Sequence, residues 1–348
     1  MHPLLLLAFI ALISIASAQS PLANQEFGVF DFDLRGSNEG EKLDHLSTIG
    51  FDGIVMSLDE PNDLASWKNY KSSRPSTKLI AGYLIVSLDN PDGINSSHTT
   101  EALQTLADEG AQFWCFFSKN SSTSSDGLQA FVDCVAARAE EFGLDLNIYP
   151  HDEASIFAIQ SLEEAMCYIK QSKASNLKVS AHLSHEIRAG NGHRMEEVLR
   201  AAGDHLALVT INGADIEFVN DSLDWSGTIQ PLGKGSFDVR NFVDALERVG
   251  YQGPVILHTF GLVDEPVRHY QDSYNLWQTW MQTPRPTLSI YPAPNDTTTV
   301  GFSGTLELST DLKNWTQLSP QPTSPLTTSS NQDTQFFRTT TPPSSKSE

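Results

Sequence analysis

Four of the ten histidines follow short apolar runs, at positions where a strand would end. His151 closes LDLNIYPH, His182 and His185 close LKVSAHLSH, and His258 follows PVIL. A neutral imidazole binds transition metals such as Zn, Fe, Ni or Cu, and an unperturbed imidazole, with a pKa of about 6.5, exchanges protons near neutrality. We therefore take all four as candidate catalytic residues, and His182, His185 and His258 as candidate metal ligands.

The elements that must position these histidines alternate in type along the chain. Apolar, β-branched and aromatic runs predict strands at 26–34, 53–58, 78–88, 111–117, 144–151, 177–185, 206–213 and 254–260. Strands of this composition suit a parallel sheet that is buried on both faces. Helical patterns lie between them, and an eightfold βα alternation predicts an α/β fold, a (β/α)8 TIM barrel. The ends of its strands would bring the histidines to one mouth.

One helical pattern carries a clear start signal. In SLEEAMCYIKQS, Ser161 and Glu164 have the spacing of a capping box, which predicts a helix start at this position. The stretches 127–143 and 237–253 have apolar residues at three- and four-residue spacing, each with a glycine near the end. These patterns predict amphipathic helices that cover the barrel.

The chain divides into four predicted segments. An apolar run that ends in small residues predicts a signal peptide over 1–18, and hence an exported protein, periplasmic or extracellular. No later segment has the length and apolarity of a membrane span. The barrel is predicted over 24–283, and the alternating Thr- and Ser-rich sequence at 287–340 predicts a small β-rich appendage. Residues 341–348 read as a disordered tail.

The net charge of −21 lies almost entirely outside residues 285–348, so the barrel region is acidic. An acidic surface repels phosphate backbones, so no nucleic-acid partner is expected. The expected partner is a carbohydrate or another small molecule, and the oligomeric state is left open. Cys115, Cys134 and Cys167 are too few for a disulfide framework and are predicted to be buried thiols, with one disulfide after export left open.

The stretch 147–261 resembles the sugar phosphate isomerase/epimerase family with a xylose-isomerase-like TIM barrel. The segments that carry the resemblance, in order, are NIYPHDE, VSAHLSHEIRAGNG, VTINGAD, IQPLGKGSFDVRNFVDALERVGYQGPV and ILHTFG. The later segments LELSTDLKNWTQL and TQFFR look like a small β module attached to exported bacterial proteins.

This resemblance implies one divalent metal held by Glu, Asp, His and Glu on the last four strands, with carboxylates that move a proton through an enediol. The sequence departs from that pattern at every ligand. Tyr149 stands at the first Glu, His182 at the Asp, Thr210 at the His and His258 at the second Glu. The expected cofactor is therefore a transition metal (Zn, Mn, Fe or Co) held by histidines, or no cofactor.

Further residues near the same strand ends are candidates for binding substrate. Tyr149 and Thr210 would fill the vacated metal space and meet neutral sugar hydroxyls. Asn212 would contact substrate or form a turn with Gly213, and Gln230 lies in a loop. Glu186 is a candidate for substrate binding, and either Glu186 or Glu153 is a candidate for an additional oxygen ligand of the metal.

These observations lead to two hypotheses from different classes. The first is an isomerase, epimerase or related lyase that moves a proton next to a carbonyl of a carbohydrate. The alternative is a catalytically inactive barrel that binds carbohydrate or polysaccharide, which the loss of all four usual ligands favours. DNA repair, known among distant relatives of this barrel, is opposed by the acidic charge.

Overall fold

The computed structural model describes residues 20–30, 39–216, 225–262, 266–282, 288–293, 297–302, 305–322, 326–329 and 335–340. The chain divides into two compact units, Asn24–Trp280 and a second formed from Met1–Ala23 and Met281–Glu348. The predicted signal peptide and the predicted tail fall outside the described residues.

The first unit is built on eight parallel strands that close into a barrel, because β1 pairs with both β2 and β8. In chain order the strands are β1 Phe27–Phe30, β2 Gly53–Ser57, β3 Leu79–Ser87, β4 Gln112–Ser118, β5 Leu146–Ile148, β6 Leu177–His182, β7 Leu206–Ile211 and β8 Val255–Leu257. The predicted (β/α)8 TIM barrel is confirmed.

Helices follow the strands, as the alternating pattern predicts. They are α1 Glu39–Ile49, α2 Pro61–Ser73, α3 Ser97–Glu109, α4 Leu128–Glu140, α5 Leu162–Gln171, α6 Leu183–Arg188, α7 Met195–Ala202, α8 Trp225–Thr228, α9 Val239–Arg248 and α10 Pro266–Gln282. Helix α6 starts directly after β6, with no intervening loop. Among the described residues, no helix has the length and apolarity needed to cross a membrane.

Aromatic side chains fill the barrel interior below the mouth. Trp114 of β4 is fully buried and donates its indole N–H to Oγ of Ser180 over 2.7 Å. Its ring stacks on Tyr149 with centroids 4.1 Å apart. Phe30 and Tyr83 lie in the same cluster. This packed layer forms a rigid floor, and it gives Trp114 a role in packing.

Helix α5 starts after Ser161 as predicted, but one of its two capping hydrogen bonds differs from those of a capping box. Oγ of Ser161 accepts from N of Glu164 over 3.2 Å, as in a capping box. The Glu164 carboxylate instead accepts from N of Gln160, one residue before the cap. The Ser161 hydroxyl and the Glu164 carboxylate therefore each accept from a backbone N–H group that has no partner within the helix.

Replacing Ser161 by alanine is expected to lower the free energy of unfolding by about 1 kcal/mol, because the cap hydroxyl is lost. Urea unfolding followed by circular dichroism measures this change. The Ser161→Asp variant restores an acceptor at the helix start and should retain the original stability. Equal destabilisation by both replacements would contradict a capping role.

The second unit contains two antiparallel three-stranded sheets, in the orders β13-β10-β9 and β12-β11-β14. The strands are β9 Leu288–Ala293, β10 Thr297–Phe302, β11 Thr305–Ser309, β12 Thr316–Gln317, β13 Leu326–Ser329 and β14 Phe336–Thr340. The Arg338 guanidinium lies 4.4 Å from the ring centre of Trp315 and pairs with Glu307 of β11. A small β-rich appendage is present, as predicted.

The prediction of three buried thiols is wrong for two of them. Cys115 is buried in β4, whereas Cys134 of α4 and Cys167 of α5 are exposed. Both exposed cysteines lie off the apolar stripe that their helix turns towards the barrel. All three are free thiols.

Candidate active site

The four histidines meet at the carboxyl ends of the strands, as the strand pattern predicts. His151 follows β5, His182 ends β6, His185 lies in the first turn of α6 and His258 follows β8. The ring centres of His151 and His185 are 3.7 Å apart. Those of His182 lie 4.3 Å from His185 and 4.3 Å from His258. The immediate start of α6 keeps His185 beside His182 despite their three-residue separation.

A series of hydrogen bonds runs through His185. Its Nδ1 lies 2.6 Å from Oδ1 of Asp152, and its Nε2 lies 3.1 Å from the Tyr149 hydroxyl. The Arg188 Nε donates to the other oxygen of Asp152 over 2.5 Å. Since an ionised carboxylate only accepts, the Nδ1 nitrogen carries the proton and Nε2 accepts from Tyr149. Asp152 therefore sets the tautomer of His185.

Asp152 and Arg188 were not identified from the sequence as site residues. Asp152 lies next to His151 in NIYPHDE, and Arg188 lies one helical turn from His185 in α6. The three-residue spacing of His185 and Arg188 places both side chains on one face of a helix. That spacing could be used only once a helix was known to start at Leu183.

Burial decides the charge of the imidazoles. Loss of solvation lowers the pKa of His151 and of His258 to about 3. The pKa values of His182 and His185 lie well below the usual range, first through burial and then through repulsion by the other imidazoles. The expectation that these histidines titrate near neutrality is therefore wrong. All four are neutral at pH 7, the form that binds metals.

Burial also determines the protonation state of Tyr149, because it raises the pKa of the phenol well above 10. The hydroxyl therefore keeps its proton near neutrality and is a hydrogen-bond donor. Its ring is held between Trp114 and His182, with centroid separations of 4.1 Å and 5.5 Å. The position that the resemblance assigns to a metal-binding Glu thus holds a fixed neutral donor.

Among the described residues, one group has the donors and spacing for a metal ion. His151, Asp152 and His185 each offer a ligand atom within 4.8 Å of the others. Two neutral imidazoles and one carboxylate are a set that transition metals accept, and Fe(II) sites of this composition keep open positions. Arg188 lies beside this group and donates a hydrogen bond to the Asp152 carboxylate. The residues present therefore fit a transition-metal ion.

The predicted metal set overlaps this group only at His185. The rings of His182 and His258 lie beside each other, with their centres 4.3 Å apart. Within the part of the chain that the structure describes, Nε2 of His182 and Oγ1 of Thr210 are buried without a hydrogen-bond partner. These two residues are register partners on β6 and β7. Nε2 of His182 and Oγ1 of Thr210 are therefore available to bind a ligand.

A cavity of about 180 Å³ opens over the histidines. Its lining comprises Tyr83, Phe116, Tyr149, His151, Glu153, Phe157, His185, Ile229, His258 and Phe260. Of the predicted residues it includes His151, His185, His258 and Tyr149. Glu153 lies in the loop between β5 and α5, and its carboxylate makes no hydrogen bond or ion pair to the described residues. Glu153 was expected only as an additional oxygen ligand, and it lies outside the candidate metal group. Its place in the cavity lining was not predicted, because sequence adjacency to His151 does not show which way a loop residue faces.

Asn212 and Gln230 hold the loop after β7 and do not line the cavity. The Asn212 amide donates to the carbonyls of Gly213 and Thr228, each over 2.7 Å. The Gln230 amide donates to Asp215 over 2.8 Å. A Cβ atom on Gly213 would lie 2.1 Å from the Pro231 carbonyl oxygen, so this close backbone approach requires glycine.

Glu186 is likewise used within the protein. One carboxylate oxygen accepts from N of Leu162 over 2.8 Å, and the other accepts from the Asn191 amide over 2.6 Å. Burial raises the pKa of Glu186 to about 7. This carboxyl fastens α6 to the start of α5 and lies outside the cavity lining.

Residues 43–280 match the family described as Xylose isomerase-like TIM barrel, and the chain belongs to this family. No curated protein matches the sequence.

Three similar solved structures cover almost the whole of their own chains. The D-psicose 3-epimerase from Clostridium cellulolyticum H10 has a TM-score of 0.56 at 14% identity, over 74% of this chain and 99% of that one. The D-allulose 3-epimerase from Methylomonas sp. has 0.57 at 16%, over 76% and 100%. The 3-keto-D-glucoside 4-epimerase from E. coli has 0.56 at 16%, over 73% and 99%. At these identities the likeness establishes the fold.

Proposed function

We propose that this protein is a carbohydrate isomerase or epimerase, which moves a proton at a carbon next to a carbonyl. The observation that carries the proposal is the group of His151, Asp152 and His185 at a cavity that also contains Tyr149 and Glu153. Family membership and the epimerase activities of the similar solved structures support it. The predicted signal peptide would place this activity outside the cytoplasm.

His151, Asp152 and His185 would hold one divalent transition metal. Bound there, such an ion would supply Lewis-acid polarisation of the substrate carbonyl, which acidifies the neighbouring C–H. Arg188 keeps the carboxylate of Asp152 in place through the Nε contact.

Glu153 is the group best suited to accept the proton. Its carboxylate is in the cavity lining and is not engaged with other described side chains. The C–H bond breaks, the proton passes to a carboxylate oxygen, and the electron pair forms the enediolate. With Nε2 of His185 given to the metal, the Tyr149 hydroxyl would be released from its contact with that nitrogen and would donate a hydrogen bond to the developing oxyanion. Return of the proton to the former carbonyl carbon, with transfer of the neighbouring hydroxyl proton to the former carbonyl oxygen, gives an isomer. Protonation of the original carbon on its other face by solvent, with release of the Glu153 proton to solvent, gives an epimer.

The experiment is deuterium exchange combined with elemental analysis. Protein purified without chelator is expected to carry about one equivalent of a transition metal, and to place solvent deuterium next to the carbonyl of a ketose or aldose. The Asp152→Asn variant should lose most of both, whereas the exposed Asp145→Asn control should keep them. A metal-replete protein that exchanges no ketose or aldose would overturn the proposal and leave the inactive carbohydrate-binding barrel.

A further inference from the structure

Three polar side chains of the cavity lining are buried. His185, His258 and Tyr149 line it and are all buried. A sugar that reached them would place its reacting carbon deep in the barrel mouth. The opposite end of the same molecule would then lie against whatever forms the rim.

The rim is apolar. Phe260 lines the cavity with 46% of its surface exposed. Ile85 is 39% exposed and lies on the inward face of β3, two residues beyond the cavity-lining Tyr83. Phe157 and Ile229 continue this lining inwards. An exposed apolar surface that borders a pocket is typical of a ligand-binding rim, since its burial is favourable.

The charge of the lining adds a second constraint. Among the described residues that line the cavity, none is Lys or Arg, and Glu153 is the charged side chain. A phosphate or carboxylate on the part of the ligand that lies away from the proposed metal would meet no Lys or Arg of the described lining. The described wall therefore favours an uncharged ligand.

We propose that the site takes an uncharged carbohydrate that carries an apolar substituent away from its carbonyl, such as the aryl or alkyl glycoside of a keto sugar. The sugar lies over the histidines, and the substituent packs on Phe260 and Ile85. This inference rests on the proposed function, because it places a carbohydrate in that cavity.

Binding is tested with paired methyl and phenyl glycosides of glucose, galactose, mannose and xylose, by titration calorimetry on the full chain. At least one phenyl glycoside is expected to bind about tenfold more tightly than its methyl partner, as for one aromatic contact. Phe260→Ser should remove this difference. Leu312→Ser replaces another exposed apolar side chain, 57% exposed in the second unit, and should keep it.

The outcomes separate this inference from the proposed reaction. If no phenyl glycoside binds more tightly than its methyl partner, or if Phe260→Ser preserves the difference, the inference is wrong. Deuterium exchange into free sugars would then still support the isomerase. A phenyl preference that Phe260→Ser removes, without exchange in any sugar, would support the apolar subsite and contradict the proposed reaction.

Discussion

Replacement of His185 by alanine is expected to lower turnover of the proposed reaction by about 10²–10⁴-fold. Two hydrogen bonds end at this ring, one between Nδ1 and Asp152 and one from the Tyr149 hydroxyl to Nε2. The ring also belongs to the candidate metal group, in which Nε2 would bind the metal instead of the Tyr149 hydroxyl. The variant therefore loses a metal donor and leaves the Tyr149 hydroxyl without its acceptor. Initial rates with the sugar found by deuterium exchange measure the effect.

A matched histidine at the other end of the barrel provides the control. Nδ1 of His205 contacts the Leu177 carbonyl at the start of β6, and His205 immediately precedes β7. His205→Ala should leave turnover within about twofold, since catalysis in this fold takes place at the carboxyl ends of the strands. Unchanged turnover in His185→Ala would remove His185 from the mechanism, provided that thermal unfolding shows a folded protein.

The convergence of the histidines was predictable because it depends on topology alone. Once the runs before His151, His182 and His258 are strands of one closed parallel barrel, their carboxyl ends must share a mouth. No side-chain geometry enters that argument. It therefore holds even though β5 and β8 are shorter in the structure than the predicted strands.

The ionisation states were not predictable in the same way. A histidine at a strand end is exposed or buried according to what the loops place over it, and loop conformation is poorly determined by local sequence. His258 and His151 are desolvated by the surrounding aromatic wall, which lowers each pKa to about 3. The role of Asn212 was unpredictable for the same reason. Its amide donates to carbonyls of the loop, and no periodic sequence pattern identifies those partners.

The loss of the three carboxylates and the histidine that the resemblance implies at four positions has a local counterpart. Tyr149 replaces the first Glu, yet Asp152 and Glu153 follow it within the same loop. Asp152 joins two histidines in a metal-type group, and Glu153 enters the cavity lining. A carboxylate in the loop after a strand lies at the same mouth of the barrel as a carboxylate at the end of that strand. This placement favours retained chemistry over a barrel kept only for binding.

Glu153→Gln tests that argument directly, and turnover is expected to fall by about 10²–10⁴-fold because glutamine cannot accept the substrate proton. Metal content should stay at the wild-type level, since Glu153 is outside the candidate metal group. Deuterium exchange should fall in parallel with turnover. Glu140→Gln, at an exposed position on α4, is the matched control and should change neither.

The Glu153→Gln variant is informative because its metal content and its deuterium exchange are measured separately. A Glu153→Gln protein that loses its metal would assign Glu153 to metal binding. Full exchange with full metal content would require another base. Because the phenol of Tyr149 holds its proton more tightly than usual, with its pKa raised by burial, it is a poor acceptor in the resting site. Exchange that depends on Glu153 while the metal stays bound is therefore the result expected for a carboxylate base in the relocated site.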